Sequence, residues 1–420
     1  MKWNERRADM VSKRFRQVRS VPDSVFAYTS FLGDLGFRSA VAGYAEQTFA
    51  KDAAAAGQSI EPECLALSSG CGAVIDNICF AVCDPGSEIL IPAPYYPAFD
   101  NDLRVKSNVI PFPVLPSSER TILPSNGDLD KAFSRCKSPR ILLLTNPHNP
   151  LGVVLRPEET KRCVKWALQK GLHVISDEIY ANSCHGEGTI AEGNEFRSAI
   201  AMVSPPPSPL PPLSLPLSRS LTLWIPLPLV RVFVIQMPEL SEELGSGLVE
   251  QRVHTIFGFS KDFCASGLRI GALHSKNARL LKSIENIGYF CGVSGHTGEC
   301  MKQVLEDQRW VTKFVTKNKR NLRKSYLALS TQLDHVGLRY LPANAGMFVW
   351  LDLRKYLKEA TWDGEKELWT ALAEDCKVLF TPGRDCHARD PGFFRICFAW
   401  VPEQALGVAL QRVAAYLKKY

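Results

Sequence analysis

The sequence predicts an α/β fold in two parts: a large domain on a mixed, mostly parallel sheet, and a smaller α/β domain at the C-terminal end. Two short apolar runs, at 141–144 and 174–175, are typical of buried strands. Between them, Pro157 opens a helix that continues over residues 161–170. Because strand, helix and strand alternate along the chain, we expect the two strands to lie parallel in one sheet.

The N-terminal elements precede these strands. Residues 1–32 are charged and without a clear pattern, and we expect them to form an arm. Apolar side chains recur at helical spacing from Gly33 to about Phe49, which predicts a helix. A second helix-like apolar run covers residues 73–82, directly after a glycine-rich turn at 70–72.

The C-terminal part begins at about Lys313 with a long charged helix. Strand-like segments follow at 346–350 and 395–398. We therefore predict a large domain over residues 33–312 and a small domain over residues 313–420.

The segment 204–229 is a low-complexity stretch of proline, leucine and serine. Repeated prolines remove backbone donors and disrupt helices and central strands alike. We expect an irregular surface insertion; translated non-coding sequence and a proline-rich docking site are the alternatives. The overlapping apolar run at 221–235 is too short and too interrupted by proline to span a membrane.

The composition of the chain indicates which binding partners and which cellular compartment to expect. The chain has 420 residues and a net charge of +7, with acidic and basic residues intermixed. Its one dense basic stretch, Lys313–Lys324, is expected to be the solvated face of a helix, so no nucleic-acid partner is predicted. Thirteen cysteines without CxxC or Cys/His spacing indicate a reducing compartment and no metal. The N-terminus lacks the apolar core of a secretory signal, and a cytoplasmic location is expected.

The most informative side chains are Lys261 and Arg269. Lys261 follows an apolar run at 255–259, and a lysine among apolar groups is a usable nucleophile. Arg269, eight positions later, supplies a permanent positive charge that suits a phosphate. The pair suggests a lysine that forms a Schiff base with pyridoxal 5′-phosphate (PLP). A solvated surface Lys-Asp pair is the alternative.

Polar residues follow both predicted strands of the large domain. Asn146 and Asn149 come after the first strand, and Asp177 and Tyr180 come at the end of the second. Open α/β sheets bind their ligands at the carboxyl ends of the strands. Both strands therefore deliver candidate groups to the same edge.

These segments together resemble the fold-type-I PLP-dependent enzymes, the class I/II aminotransferases, and within them the 1-aminocyclopropane-1-carboxylate (ACC) synthase-like branch. The resemblance covers roughly residue 31 to the C-terminus, apart from the proline-rich segment. Six motifs occur in family order: SGCGA at 69–73, PAPYYP at 92–97, TNPHNPLG at 145–152, SDEIY at 176–180, SKD at 260–262 with GLRIG at 267–271, and FRI at 394–396.

The resemblance implies a role for each group around the cofactor ring. Lys261 would hold PLP and then act as the general base at the substrate Cα. Asp177 would face the pyridine nitrogen and keep it protonated, so that the ring accepts electrons. Tyr180 and Asn149 would hydrogen-bond the phenolic oxygen. Tyr96 would stack on the ring.

Two of these roles have open alternatives. The neighbouring Tyr95 is one position away from Tyr96 and could take its place. Asp177 could instead cap a helix at the strand end. Arg395 is expected to bind the substrate α-carboxylate in a bidentate fashion.

The remaining implied contacts hold the cofactor phosphate. Cys71 and Gly72 stand at the start of a helix, where backbone amides suit a dianion, although relatives often carry a hydroxyl residue there. Arg269 and Ser260 are expected to join them. The serine that many relatives carry three residues before the lysine is Gly258 in this chain.

Two further departures concern the expected partner subunit and the pocket. The tyrosine that usually reaches the partner's phosphate appears as Phe31, and Tyr28 could replace it only in a different local register. The N-terminal segment that shapes the substrate pocket of ACC synthases is expected to be absent.

Three functions follow from the resemblance. The first is an ACC synthase-like enzyme acting on S-adenosylmethionine or an amino acid. The second is an aminotransferase of unknown amino-acid specificity, and the third is a catalytically impaired pseudoenzyme. By resemblance the protein is expected to be a homodimer, with a small-molecule substrate and no membrane partner.

Overall fold

A computed structural model describes residues 2–18, 20–51, 59–118, 121–186, 195–202, 240 and 244–418. The proline-rich segment 204–229 lies outside the described residues, so the predictions made for it are untested. Among the described residues, no helix is long and apolar enough to cross a membrane.

The large sheet has seven strands in the order β1-β7-β6-β5-β4-β2-β3. Only β7 runs opposite to the others, and β4 pairs with β5 in parallel. The predicted mixed, mostly parallel sheet is therefore confirmed. The strands are β1 (Leu65–Ser68), β2 (Glu88–Pro92), β3 (Ile110–Val114), β4 (Pro139–Thr145), β5 (His173–Asp177), β6 (Val253–Gly258) and β7 (Gly271–His274).

Helices cover both faces of this sheet, which explains why both faces of the central strand β4 are apolar over residues 141–144. On β4, Leu142 and Leu144 belong to one hydrophobic cluster, whereas Ile141 and Leu143 belong to another on the opposite face. The helices up to the second sheet are α1 (Lys2–Phe15), α2 (Leu35–Thr48), α3 (Cys71–Val82), α4 (Phe99–Arg104), α5 (Asn126–Arg135), α6 (Pro157–Gln169), α7 (Ser246–Arg252), α8 (Phe259–Asp262), α9 (Ala278–Ile287) and α10 (Gly295–Glu306).

A second, four-stranded sheet lies in the C-terminal part, in the order β10-β11-β9-β8. All its pairings are antiparallel. Its strands are β8 (Arg339–Leu341), β9 (Phe348–Asp352), β10 (Thr381–Pro382) and β11 (Phe393–Cys397), and it is accompanied by α11 (Gln308–His335), α12 (Trp362–Glu374) and α13 (Glu403–Leu417).

The long helix α11 connects the two halves. Phe314, near its start, packs in the cluster around α2, whereas Leu329, near its end, packs against the second sheet. The predicted domain boundary between residues 312 and 313 falls inside this helix, and the division remains a prediction.

The N-terminal arm contains a helix, α1, that the charged sequence did not indicate. Val11 is buried against the cluster around α2, and Arg14 forms an ion pair with Asp307 at 2.8 Å. These tertiary contacts, rather than a repeating apolar pattern, hold the helix in place.

Candidate active site

Three neighbouring strands end at one edge of the large sheet and bring predicted site residues together. β4 and β5 pair as far as Thr145 opposite Asp177, and β5 and β6 as far as Asp177 opposite Ile256. Past these ends, the Asn146 amide donates to the Asp177 carbonyl at 2.9 Å. Lys261 lies in α8, which follows β6 directly. The site is therefore built at the carboxyl ends of parallel strands.

Asp177 is buried without a close cation. Its side chain accepts one hydrogen bond among the described residues, from the Ile179 amide at 3.2 Å. Burial raises the pKa of Asp177 to about 7, against the opposing effects of the Ile179 amide and the Lys261 charge. A positive partner placed beside the second oxygen of this carboxyl would stabilise its charged form.

Tyr180, Asn149 and Arg395 form a connected row beside Asp177. The Asn149 amide nitrogen lies 3.5 Å from the Tyr180 hydroxyl, and Arg395 Nη1 donates to the Asn149 oxygen at 2.9 Å. Burial is the largest cause that raises the pKa of Tyr180 well above its ordinary value, so the phenol keeps its proton. The row thus joins the large sheet to β11 of the second sheet.

Arg395 is held by its own strand neighbours. Its Nη2 donates to Thr381 Oγ1 at 3.1 Å, and its guanidinium lies 5.2 Å from the centroid of the Phe348 ring. Its Nε is buried and has no hydrogen-bond partner among the described residues. A fixed guanidinium with a spare buried donor is suited to an incoming carboxylate.

The structure separates the roles of the adjacent tyrosines Tyr95 and Tyr96. Tyr95 is buried, donates to Asp100 at 2.8 Å and stacks on the His387 ring at 4.4 Å. Tyr96 is half-buried, and the charges of Arg395 and Asp177 both act on its hydroxyl. The charges of the candidate residues Arg395 and Asp177 therefore reach Tyr96, whereas Tyr95 packs in the core.

The first turn of α3 makes a concave cradle beside these residues. Gly70 precedes the helix with φ of 92°, and a Cβ atom there would lie 2.5 Å from Arg269 Nη2. Arg269 donates to the Ser69 carbonyl at 3.1 Å. Cys71 and Gly72 are the first two residues of the helix, so their amides are free of intrahelical partners. A helix N-terminus with an arginine beside it is suited to a phosphate.

Lys261 and Ser260 share the single turn of α8. Lys261 is half-buried, and its charge acts on both Asp177 and Cys71. Ser260 is also half-buried, and its hydroxyl makes no hydrogen bond to the described residues.

A buried network next to Lys261 was not identified from the sequence. Tyr44 donates to Asp262 at 2.6 Å, and Asn182 donates to Tyr44 at 2.9 Å. Burial raises the pKa of Asp262 to about 6, and the hydrogen bonds from Tyr44 and Asn182 oppose that shift. The only sequence signal was the position of Asp262 directly after the lysine; Tyr44 and Asn182 carry none.

Comparison with known proteins identifies the family. Residues 6–413 match the family described as aminotransferase class I and II. The chain belongs to this family. It is a PLP-dependent enzyme of the lyase or transaminase type, as the resemblance implied.

Two relatives and two solved structures show the breadth of the similarity. The chain is 30% identical over 384 residues to 1-aminocyclopropane-1-carboxylate synthase 6 of Arabidopsis thaliana, covering 90% of this chain and 68% of the relative. It is 30% identical over 366 residues to 1-aminocyclopropane-1-carboxylate synthase of Malus domestica, covering 86% and 69%.

Among solved structures, an aromatic aminotransferase from Pyrococcus horikoshii OT3 superposes with a TM-score of 0.72 at 18% identity, covering 99% of this chain and 92% of that chain. A Thermus thermophilus aspartate aminotransferase double mutant gives 0.70 at 19% identity, covering 97% and 87%. At these identities the solved structures show the fold.

The residues at the strand ends fit PLP. The cradle at α3 offers amides and Arg269 to a phosphate, and the buried Asp177 lacks the positive partner that a protonated ring nitrogen would supply. The Lys261 charge acts on both Asp177 and Cys71. The donor set therefore matches the charges of the cofactor.

Proposed function

We propose that the protein is an ACC synthase-like enzyme that acts on S-adenosylmethionine, with Lys261 as its catalytic residue. The observation that carries the proposal is the connected row from Tyr180 through Asn149 to Arg395, beside Asp177 and Lys261. This row offers a carboxylate anchor next to the cofactor residues, which is what an α-amino acid substrate needs. The two ACC synthases at 30% identity favour the specific substrate.

Each residue has a separate task in this proposal. PLP, when bound, supplies a ring that accepts electrons from the substrate Cα. Arg395 would bind the substrate carboxylate, and Lys261 would take the proton from Cα. Asp177 would keep a proton on the ring nitrogen, and Tyr180 would donate to the phenolic oxygen.

The cofactor contacts extend to the cradle and the ring face. We propose that Cys71 and Gly72 hold the phosphate through their amides, with Arg269 and Ser260 beside them. Tyr96 would cover the ring, since its hydroxyl already lies within the electrostatic reach of Asp177 and Arg395.

The substrate decides the outcome of the reaction. With S-adenosylmethionine, the Cα–Cγ bond forms, the Cγ–S bond breaks and methylthioadenosine leaves. With an ordinary amino acid, Lys261 would carry the proton while PLP, when bound, would take up the amino group and pass it to a 2-oxo acid, which is a transamination. The aminotransferase fold supports the second candidate.

One experiment tests the cofactor and two assays separate the reactions. Purified protein incubated with PLP should develop a visible absorbance that Lys261→Ala abolishes. Release of ACC from S-adenosylmethionine would support the first function, and amino-group transfer to 2-oxoglutarate would support the second. Visible absorbance without turnover in either assay would support the third function, a catalytically impaired pseudoenzyme. A protein without the absorbance would contradict both enzyme functions.

We also propose a homodimer. Four aromatic residues form a patch next to the cradle, and two of them, Tyr28 and Phe290, are 85% and 80% exposed. The Phe31 ring contacts the Tyr289 ring at 5.5 Å and completes this aromatic patch. An exposed apolar patch of this kind is typical of an interface.

The cytoplasmic location is likewise a proposal. All thirteen cysteines are free thiols. Free thiols in this number are typical of a reducing compartment.

A further inference from the structure

A second cavity, separate from the cofactor site, lies between α2 and α11 and has a volume of about 440 Å³. Four cationic side chains line it: Lys51, Lys319, Arg320 and Arg323. No carboxylate belongs to its described lining. The cavity therefore concentrates positive charge in a concave space that is large enough for a small metabolite.

The positions on α11 explain why the charge collects there. Thr312, Thr316, Lys319 and Arg323 follow each other at spacings of three and four residues, which places them on one face of the helix. The sequence alone indicated a solvated basic face over Lys313–Lys324. The structure divides that stretch, since Lys324 instead pairs with Glu403 at 3.3 Å.

The described residues leave the cationic side chains of the cavity without an ion-pair partner. Within the described parts of the chain, Lys319, Arg320 and Arg323 have no carboxylate within ion-pair distance. Arg323 lies over the Tyr326 ring at 5.7 Å, which orients the guanidinium without compensating its charge. Three neighbouring cations held in this way repel each other until an anion is bound.

His185 gives an independent indication of a missing partner. It lines the cavity, is 3% exposed, and lies 5.3 Å from the Tyr326 ring. The Ala345 backbone acts on the ring, but neither ring nitrogen forms a well-oriented hydrogen bond with the described residues. Burial, and then the Arg323 charge, lower the pKa of His185 to about 4, so the ring is neutral. Buried polar atoms without partners are uncommon and point to a bound molecule.

We propose that this cavity binds a small polyanion, a molecule that carries two or more phosphate or carboxylate charges. Arg320 and Arg323 can each grip an oxygen pair in a bidentate fashion, and Lys319 adds a third, half-buried charge. Thr316 adds a hydroxyl on the same face, whereas the Thr312 hydroxyl donates to the Gln308 carbonyl at 2.9 Å and borders the site.

The cavity adjoins the network beside the proposed catalytic lysine. Thr48, in its wall, accepts a hydrogen bond from Asn182 at 3.0 Å, and Asn182 also donates to Asp262 at 3.3 Å. The Lys319 charge acts on Asp262 as well. A polyanion beside Lys319 therefore changes the field at the residue that follows Lys261 in the chain, which gives the site a route to regulate activity.

The test measures binding directly and does not depend on PLP or on turnover. The full-length protein is titrated calorimetrically with inorganic pyrophosphate and, separately, with citrate, at constant ionic strength. Saturable binding is expected, and the stronger of the two ligands identifies phosphate or carboxylate as the preferred group. Replacing both cations in Lys319→Gln/Arg323→Gln should weaken binding by about tenfold for each charge removed.

A matched control distinguishes binding in the cavity from general electrostatic attraction to the basic helix. Arg309→Gln/Lys313→Gln removes one arginine and one lysine at the same four-residue spacing on the same helix, at exposed positions outside the cavity. This control should bind as the unmodified protein does. Equal loss in both double variants, or titrations that do not saturate, would overturn the proposal. The thermal midpoint without ligand verifies that each variant is folded.

Discussion

Cys71 occupies the space into which a side chain at position 258 would project. A Cβ atom on Gly258 would lie 2.9 Å from Cys71 Sγ, closer than such atoms approach in folded proteins. The thiol lies 3.2 Å from the Phe257 carbonyl, within the distance of a hydrogen bond. A serine at position 258 would collide with the Cys71 thiol. The glycine at 258 and the cysteine at 71 therefore depart from the family pattern together, because the missing side chain at 258 leaves room for the thiol.

This coupling predicts the effect of restoring the serine. Gly258→Ser should destabilise the protein by about 1–3 kcal/mol, since the new side chain meets Cys71 Sγ and also the Ile270 carbonyl. In a Cys71→Ala background the loss should be smaller but not absent, because the Ile270 contact remains. Urea unfolding of the four proteins of this cycle measures the coupling. If the two substitutions changed the free energy of unfolding in a strictly additive way, positions 258 and 71 would not be coupled.

Substitution of Gly271, the glycine opposite Gly258, should cause a larger loss of stability. Gly258 pairs with Gly271 across the strands, and a Cβ atom on Gly271 would lie 2.4 Å from the Gly70 carbonyl carbon. Gly271→Ala should therefore push the first turn of α3 away from the sheet, destabilise the protein by about 3 kcal/mol and weaken PLP binding. Gly267→Ala is the matched control, because nothing lies within 4 Å of its Cβ position. A Gly271→Ala protein with unchanged PLP affinity would show that the close approach is not needed for the cradle.

Asp177→Asn should raise the stability of the cofactor-free protein at alkaline pH. The pKa of Asp177 is raised to about 7, so the folded state holds a proton that the unfolded state releases near pH 4. This carboxyl therefore costs stability as pH rises from about 4 to 7, and asparagine removes that cost while it keeps an oxygen for the Ile179 amide.

The size and sign of this effect can be measured by difference. Between pH 5 and pH 8, the stability of Asp177→Asn relative to the unmodified protein should grow by an amount on the order of 2 kcal/mol. His254 is present in both proteins and cancels, whereas the Asp177 charge helps to raise the pKa of Glu178, so its loss in Asp177→Asn adds to the difference in the same direction. Bound PLP should reduce the difference, because it supplies the missing positive partner. A constant difference across this pH range would mean that Asp177 is ionised in the cofactor-free site.

Much of this site could be predicted from the sequence because its residues lie at strand ends or in short motifs. Asp177, Asn149 and Lys261 each follow an apolar run, and the parallel order of the strands brings them together. The apolar run at 73–82 is helical as expected, but the helix begins two residues earlier than predicted, at Cys71, so that only Gly70 of the turn precedes it.

The features that the sequence did not predict depend on contacts between distant segments. The pairing of Tyr44 with Asp262 joins positions 218 residues apart, and nothing in the sequence around Tyr44 indicates that partner. The division of the basic stretch on α11 likewise depends on which side of the helix faces α2. The short helix α1 lacks a strong apolar period and forms through its contacts with the rest of the molecule.

Arg395→Lys should affect substrate binding more than cofactor binding. Lysine cannot donate to both Asn149 and Thr381 in the present geometry, so the carboxylate anchor loses its orientation. We expect KM for the active substrate to rise by about 10–100-fold, while the visible absorbance with PLP is retained. Arg412→Lys, at an exposed position on α13, is the control and should leave KM unchanged. An unchanged KM in Arg395→Lys would remove Arg395 from the carboxylate role.

The aromatic patch predicts the effect of adding charge to the proposed dimer interface. The patch borders the cradle, since Ser69 Oγ donates to the Cys291 carbonyl at 3.0 Å, directly after Phe290. Tyr289→Asp/Phe290→Asp should therefore convert a dimer into a monomer of 46.7 kDa and weaken PLP binding, because carboxylates are costly to bury in an apolar contact. Leu379→Asp changes an equally exposed apolar residue in the C-terminal part and should leave the dimer intact. Sedimentation velocity measures the mass of each protein. If the double variant remained a dimer, the interface would lie elsewhere on the molecule.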